Sequence, residues 1–250
     1  MSSTPKVLYQ TWKTQTLPEK FEKNRNRWIA ATPGYEHILL DDQGLRDLVS
    51  YNFPQYLEAY DSFTKNIERV DFARCVMMWL GGVYADLDTY PLKSIDKFVA
   101  MDKIVLGREP LEHAHSLYSR EVVLCNAFMI SPPGKRLWVD LMEHIIENYE
   151  PHYRPVENTG PMALTRFYEK HPELFKDVLI TDPCTFFPLT GQGKVTQGCD
   201  IEKNTHVVHE WTNSWVPNIW TDDMWKNKRY WFWALLAIFF LVFGFCWYTK

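Results

Sequence analysis

Apolar positions along the chain switch repeatedly between two spacings. KVLYQTW at 6–12 is a nearly continuous β-prone run after Pro5 and predicts a buried strand. From Pro18 to Thr32 polar residues dominate, with Phe21, Trp28 and Ile29 at helical spacing, and TPG at 32–34 closes the segment. YEHILLDD at 35–42 predicts a second strand, and QGLRDLVSYNFPQYLEAY continues as a helix broken near Pro54. In NIERVDFARCVMMWLGG at 66–82, Ile67, Val70, Ala73, Met77 and Leu80 recur every three or four residues, and Gly81 stands at the C-cap position. Further apolar runs at 103–107, 121–130 and 177–180 predict strands, while 134–149 and 161–170 predict helices. This alternation predicts an α/β fold with a parallel sheet flanked by helices, and no internal repeat is present.

One stretch breaks the pattern. From Tyr230 to Tyr248 the chain reads YWFWALLAIFFLVFGFCWY, nineteen residues without a charge. As a helix it would be roughly 28 Å long, close to a bilayer core, with Trp231, Trp233, Trp247 and Tyr248 at headgroup depth. The pattern predicts a globular domain over 1–225, then a basic flank and transmembrane anchor over 226–250. Lys226, Lys228 and Arg229 outweigh Lys250, so the positive-inside rule orients the globular part to the cytosol, with a lumenal placement as the alternative. The 250 residues contain five cysteines, scattered and without zinc-ligand spacing. They read as buried reduced thiols, with at most one disulfide among them, which also favours a cytosol-facing domain. Net charge is −4 with both signs interspersed, which excludes the basic stripe of a nucleic-acid binder.

The candidate chemistry centres on GGVYADLDTYPL at 81–92. If the strand runs through Asp86, then Asp86 and Asp88 point to one side of it and offer two hard oxygen donors to a divalent cation. A D-x-D pair alone is also an ordinary polar turn. Asp71 and Arg74, three apart on the preceding helix, share a face, and that helix aims its C-terminal end at the turn. An intrahelical ion pair is the simpler account of the two, but the ordered pattern D-x-x-R, apolar run, G-G-x-Y-x-D-x-D is a far more specific signal.

On RVDFARCVMMWLGGVYADLDTYPLKSID at 69–96, with PKVLYQTWK and NRNRWIAATPGYEHILLDD before it, the chain resembles glycosyltransferase family 32 over about residues 5–215. Within it the likeness is to mannosyltransferases acting on inositol phosphoceramide and to initiating α-1,6-mannosyltransferases. The resemblance implies a GT-A-like fold with a mixed, mainly parallel sheet. It also implies Mn²⁺ or Mg²⁺, a nucleotide-sugar donor and retention at the anomeric carbon. By motif, Asp88 would bind the metal directly, and Asp86 would bind it through water or contact the donor ribose. Asp71 and Arg74 would hold the sugar and diphosphate. Gln10 and Trp12 would line the nucleoside pocket, although Trp12 could equally be a core residue. In HVVHEWTNSW at 206–215, His209 fits the family's spacing for a third metal ligand, with His206 as the alternative, and Ser214 and Trp215 would cover the diphosphate. Asn126 and the Thr159–Gly160 pair are weaker lining candidates, Thr159 being equally an N-cap.

The resemblance favours GDP-mannose as donor and a lipid or glycan acceptor at the membrane, with UDP-galactose, UDP-glucose or UDP-N-acetylglucosamine as alternatives. A metal-dependent hydrolase or phosphotransferase would need more acids and histidines than this block supplies. A glycoside hydrolase needs two carboxyls flanking a bond, whereas these share one face. A non-catalytic, tail-anchored scaffold with a transferase fold is the remaining competitor.

Overall fold

The computed structural model describes residues 3–212. The expected boundary at 225/226, the basic flank, the apolar run at 230–248, Ser214 and Trp215 lie outside the described residues. Among the described residues no helix is long and apolar enough to cross a membrane.

The sheet grows outward from β1 (Val7–Thr11), the apolar run nearest the N-terminus. β1 pairs in parallel with β2 (Glu36–Leu40) on one side and β3 (Gly82–Ala85) on the other. Beyond β3 lie β6 (Leu124–Ser131), β5 (Val105–Arg108) and β7 (Leu179–Thr181), giving the order β2-β1-β3-β6-β5-β7. β6 is antiparallel to both β3 and β5, so the sheet is mixed, with three parallel pairings against two antiparallel ones. Consecutive strand residues alternate between two cores. Tyr9, Tyr84, Leu106 and Met129 face one core, shared with the helices Asp42–Asn52, Asn66–Leu80 and Arg136–Glu147. Leu8, Val83, Val105 and Ile130 face the other, where Trp28 of the helix Glu19–Ala31 stacks on Phe128.

The helix Asn66–Leu80 is buried on nearly every side from Asp71 to Met78, rather than along one stripe. Its start is held by Glu68, wholly buried, which accepts from the Lys65 backbone N–H at 3.0 Å and the Tyr149 hydroxyl at 2.9 Å. Its end is forced by the glycine pair. Gly81 (φ +88°) and Gly82 (φ +120°) adopt backbone angles that L side chains rarely take. A Cβ on Gly81 would lie 2.7 Å from the Pro133 nitrogen, and one on Gly82 would lie 2.7 Å from the Val7 carbonyl oxygen. The turn therefore fits against β1 and the end of β6 only without side chains.

Three features were not legible in the sequence. β4 (Thr89–Pro91) and β8 (Val207–His209) form a separate antiparallel pair, and Leu111–Tyr118 is a helix. The two strands have three residues each, too few for alternation to register. The strand bearing the glycines ends at Ala85, so Asp86 and Asp88 belong to a turn rather than to one strand face.

The cysteine reading also needs correction. Cys184 and Cys199 are joined by a disulfide, while Cys75 and Cys125 are buried free thiols. The bond is invisible in the linear spacing because a turn with a Leu189–Val195 bridge folds residue 199 back onto the short helix Pro183–Phe186. Such bonds persist in oxidising compartments, so thiol usage no longer favours a cytosol-facing domain.

Gly82→Ala is expected to destabilise the domain by about 2–3 kcal/mol through its strained φ and the approach to Val7. Urea unfolding with an unchanged m-value measures it, and a loss under about 0.5 kcal/mol would contradict this account of the turn.

Candidate functional site

The DxD turn sits at the C-terminal edge of the sheet, where β3 stops. The Asp86 N–H donates to the Ala127 carbonyl at 2.8 Å, continuing the pairing with β6 by one residue. Thr89 then closes the turn, its N–H and hydroxyl both donating to the Asp86 carbonyl, at 3.0 and 2.6 Å. The break in the β5–β6 register between Leu106 and Gly107 leaves this part of β6 free to bond the end of β3. On the far side β8 brings His209 opposite Thr89. The Nε2–H of His209 donates to Asp88 Oδ1 at 3.1 Å.

Asp86, Asp88 and His209 can each offer one ligand atom, with all three atoms within 4.8 Å of one another. His209 is buried, and its Nδ1 has no hydrogen-bond partner among the described residues. Two carboxylates and an imidazole at that spacing fit a divalent cation. His206, the alternative ligand, is directed elsewhere: its Nδ1 meets the Ser94 carbonyl at 2.7 Å and its ring lies against Phe98.

Arg74 joins this cluster to the helix. Its NH1 contacts Asp71 at 2.9 Å and its NH2 contacts Asp86 at 2.8 Å, while its guanidinium lies 4.7 Å from the Tyr84 ring centre. With Arg74 6% and Asp71 5% exposed, this is no surface ion pair. Burial opposes the Arg74 charge, but Asp86, Tyr84 and Asp71 outweigh it and hold the group above the ordinary arginine range. Burial pushes Asp71 up to about 6 against the pull of Arg74, Thr159 and Asn126. Asp86 is likewise raised by burial, with Arg74 opposing. For His209 burial disfavours the imidazolium, yet Asp88 reverses the sign and raises it.

The two weaker sequence candidates lie at the centre of this arrangement. Asn126 Nδ2 donates to Asp71 Oδ1 at 3.0 Å, and the Thr159 hydroxyl donates to Asp71 Oδ2 at 2.9 Å. A Cβ on Gly160 would approach Asp71 Oδ2 to 3.3 Å, so that glycine leaves the carboxylate room. Tyr84 was not singled out in the sequence, where it reads as an ordinary strand aromatic. Its hydroxyl donates to Asp86 Oδ1 at 2.5 Å and lies 3.3 Å from Thr11 Oγ1. Thr11, not Gln10, is thus the β1 residue on the cluster side. Gln10 is wholly buried, points to the helix Glu19–Ala31 and accepts from Arg25 at 3.2 Å. Trp12 packs on Phe21 with ring centres 4.8 Å apart and is partly exposed.

Comparison with known proteins accords with this geometry. Residues 18–105 match the family described as glycosyltransferase sugar-binding region containing DXD motif. Inositol phosphoceramide mannosyltransferase 3 of Schizosaccharomyces pombe is 36% identical over 96 residues, covering 38% of this chain and 27% of the relative. Inositol phosphoceramide mannosyltransferase 2 of the same organism is 27% identical over 172 residues, covering 67% and 47%. The initiation-specific alpha-1,6-mannosyltransferase of Candida albicans is 29% identical over 113 residues, covering 42% and 29%. The chain thus spans less than half the length of these curated relatives. Among solved structures, mouse xyloside xylosyltransferase 1 in its apo form superposes with a TM-score of 0.52 at 14% identity, covering 82% of this chain and 96% of that one. The ligand-free glycosyltransferase domain of the YGT toxin gives 0.51 at 10% identity, covering 72% and 80%. At such identities the likeness is one of fold, and the fold is GT-A-like.

A proton on His209 competes with a cation for the ring, and Asp88 makes that proton harder to displace. Mn²⁺ affinity is therefore expected to rise steadily from about pH 6 to about pH 8, with proton release on binding. Calorimetric titrations across this range in two buffers of different ionisation enthalpy measure both, and a flat affinity would exclude His209 as a ligand.

Proposed function

We propose that the chain, whose residues 18–105 match the glycosyltransferase sugar-binding region containing DXD motif, is a metal-dependent, retaining hexosyltransferase moving mannose from GDP-mannose to a membrane-borne acceptor. The observation that carries this reading is the contact of the Asp86–Asp88–His209 cluster with the buried Arg74–Asp71 pair. The mannosyl donor and an inositol phosphoceramide type of acceptor are inferred from the printed activities of the relatives. A UDP-hexose is the second reading for the donor.

Departure of a nucleoside diphosphate concentrates negative charge on the leaving group. Asp86, Asp88 and His209 would hold the cation, which when bound supplies neutralising charge to the diphosphate. The imidazole makes Mn²⁺ the favoured ion over Mg²⁺. Arg74 adds a permanent positive charge whose orientation is set before substrate arrives, because Asp71 and Asp86 grip it from two sides. The Nε–H of Arg74 is buried and has no hydrogen-bond partner among the described residues. Burial raises the Asp71 carboxyl while Arg74, Thr159 and Asn126 favour its ionised form, which is the form that grips Arg74. Asn126 and Thr159 fix the Asp71 oxygens, and Tyr84 fixes Asp86.

The nineteen-residue uncharged run at 230–248 supports a membrane anchor. The Cys184–Cys199 bond supports an oxidising, lumenal side for the catalytic unit, reversing the orientation drawn from the basic flank.

In a screen of GDP-mannose against UDP-hexoses with Mn²⁺, GDP-mannose is expected to give the largest thermal stabilisation and nucleotide release. Asp88→Ala is expected to lower transfer at least about a hundredfold. An unchanged rate in that variant would favour the scaffold reading.

A further inference from the structure

The helix Glu19–Ala31 buries Phe21, Asn24 and Trp28, at i, i+3 and i+7 along one face. Two of these are aromatic. The third is an amide, 3% exposed. A primary amide offers two N–H donors from one nitrogen, and a buried one must find acceptors for them. Asn24 Nδ2 donates to the Leu87 carbonyl at 3.2 Å and to Glu210 Oε2 at 3.2 Å. Leu87 stands between Asp86 and Asp88, and Glu210 follows His209. One nitrogen thus reaches the chain neighbours of all three candidate cation ligands.

These contacts close a ring around Asp88. The Leu87 carbonyl belongs to the peptide plane that leads into Asp88. In the plane that leaves it, the Asp88 carbonyl accepts from the Glu210 N–H at 2.8 Å. With both planes held, the backbone sets the direction in which the Asp88 side chain departs. Lys20, one turn earlier on the helix, lies 3.3 Å from the Glu210 oxygen that Asn24 engages and holds it over the helix. Trp28, one turn later, shares its indole N–H between the Thr89 carbonyl and hydroxyl, at 3.1 and 3.2 Å, and that hydroxyl donates to the Asp86 carbonyl. The helix therefore grips the turn at Leu87 and Thr89, the residues that alternate with its two aspartates.

We propose that Asn24 is a positioning residue for the cation site, its amide tying the Asp86–Asp88 turn to the His209 strand so that the three ligand atoms are gathered before a divalent cation arrives. The proposal rests on the metal-dependent reading of that cluster and adds the group that keeps it assembled. The ligands come from a turn and from a strand of three residues, distant in the chain. Segments this short, left untied, would have to be ordered when the cation binds, which lowers affinity. Leucine has the branching of asparagine without its N–H groups, so it would leave the Leu87 carbonyl and Glu210 without this donor.

The test is Mn²⁺ binding to the full chain without nucleotide, measured by calorimetry and by the EPR spectrum of the bound ion, at a temperature where each variant is folded. Asn24→Leu is expected to weaken Mn²⁺ binding about tenfold, the loss typical of a residue that orients metal ligands, and to alter the spectrum of the ion that still binds. Glu210→Gln keeps an acceptor for the amide and Glu210→Ala removes it, while both lack the charge. The Gln variant is therefore expected to bind Mn²⁺ at least about threefold more tightly than the Ala variant. This pair decides the matter if Asn24→Leu does not fold. Wild-type Mn²⁺ affinity in Asn24→Leu, whatever its Tm, makes Asn24 a core residue only and overturns the proposal, as does equal binding by the two Glu210 variants. Wild type that binds no Mn²⁺ overturns the metal-dependent reading and the tie with it. Wild type that binds Mn²⁺ but transfers no sugar sinks the transferase reading, and the weakened binding of Asn24→Leu then still supports the tie.

Discussion

One buried guanidinium organises the molecule. Arg74 sits between Asp71 on its own helix and Asp86 beyond the next strand, and it lies over Tyr84 in between. Removing either carboxylate from such a desolvated group typically costs about 3–5 kcal/mol, since the charge stays behind without its partner. The cost explains why so much backbone is arranged around it. The helix Asn66–Leu80 must lie flat on the sheet to bring Arg74 in, and the chain must then reverse within two residues to start β3 alongside β1. Gly81 and Gly82 make that reversal possible because any side chain there would collide with Pro133 or Val7.

The same constraint explains the character of the surrounding residues. A buried arginine flanked by two acids needs its acids oriented as well, and Asn126, Thr159 and Tyr84 do so from three different elements. The result is a cationic charge whose direction is fixed before any ligand binds, which is where electrostatic catalysis draws its advantage over water. Glu68, one turn earlier on the helix, is buried among donors that satisfy it and holds the helix start.

His209 reaches the cluster by a different route. β8 pairs with β4 immediately after the DxD turn, and the disulfide-closed segment from Cys184 to Cys199 carries Leu189, whose carbonyl holds the Trp211 indole. Three small devices, a short strand pair, a disulfide and a strained tryptophan, thus fix the wall opposite Arg74. Each is local, and none leaves a periodic trace.

What the sequence determined by itself was whatever depends on near neighbours. Strand and helix periodicity located the main elements to within a few residues, and Pro54 and the glycine pair marked breaks because their backbone limits act on the spot. Asp71 and Arg74 were legible as partners because a helix brings residues three apart together. Asp86 and Asp88 were legible as a pair, although a turn rather than strand alternation brings them together. The turning of His206 away from the cluster, the placing of Thr11 and Tyr84 beside it and the closure of Cys184 on Cys199 were decided only by the tertiary structure. All three depend on which strand lies beside which and on which face a side chain leaves, and a mixed sheet settles those matters through contacts between residues far apart in the chain.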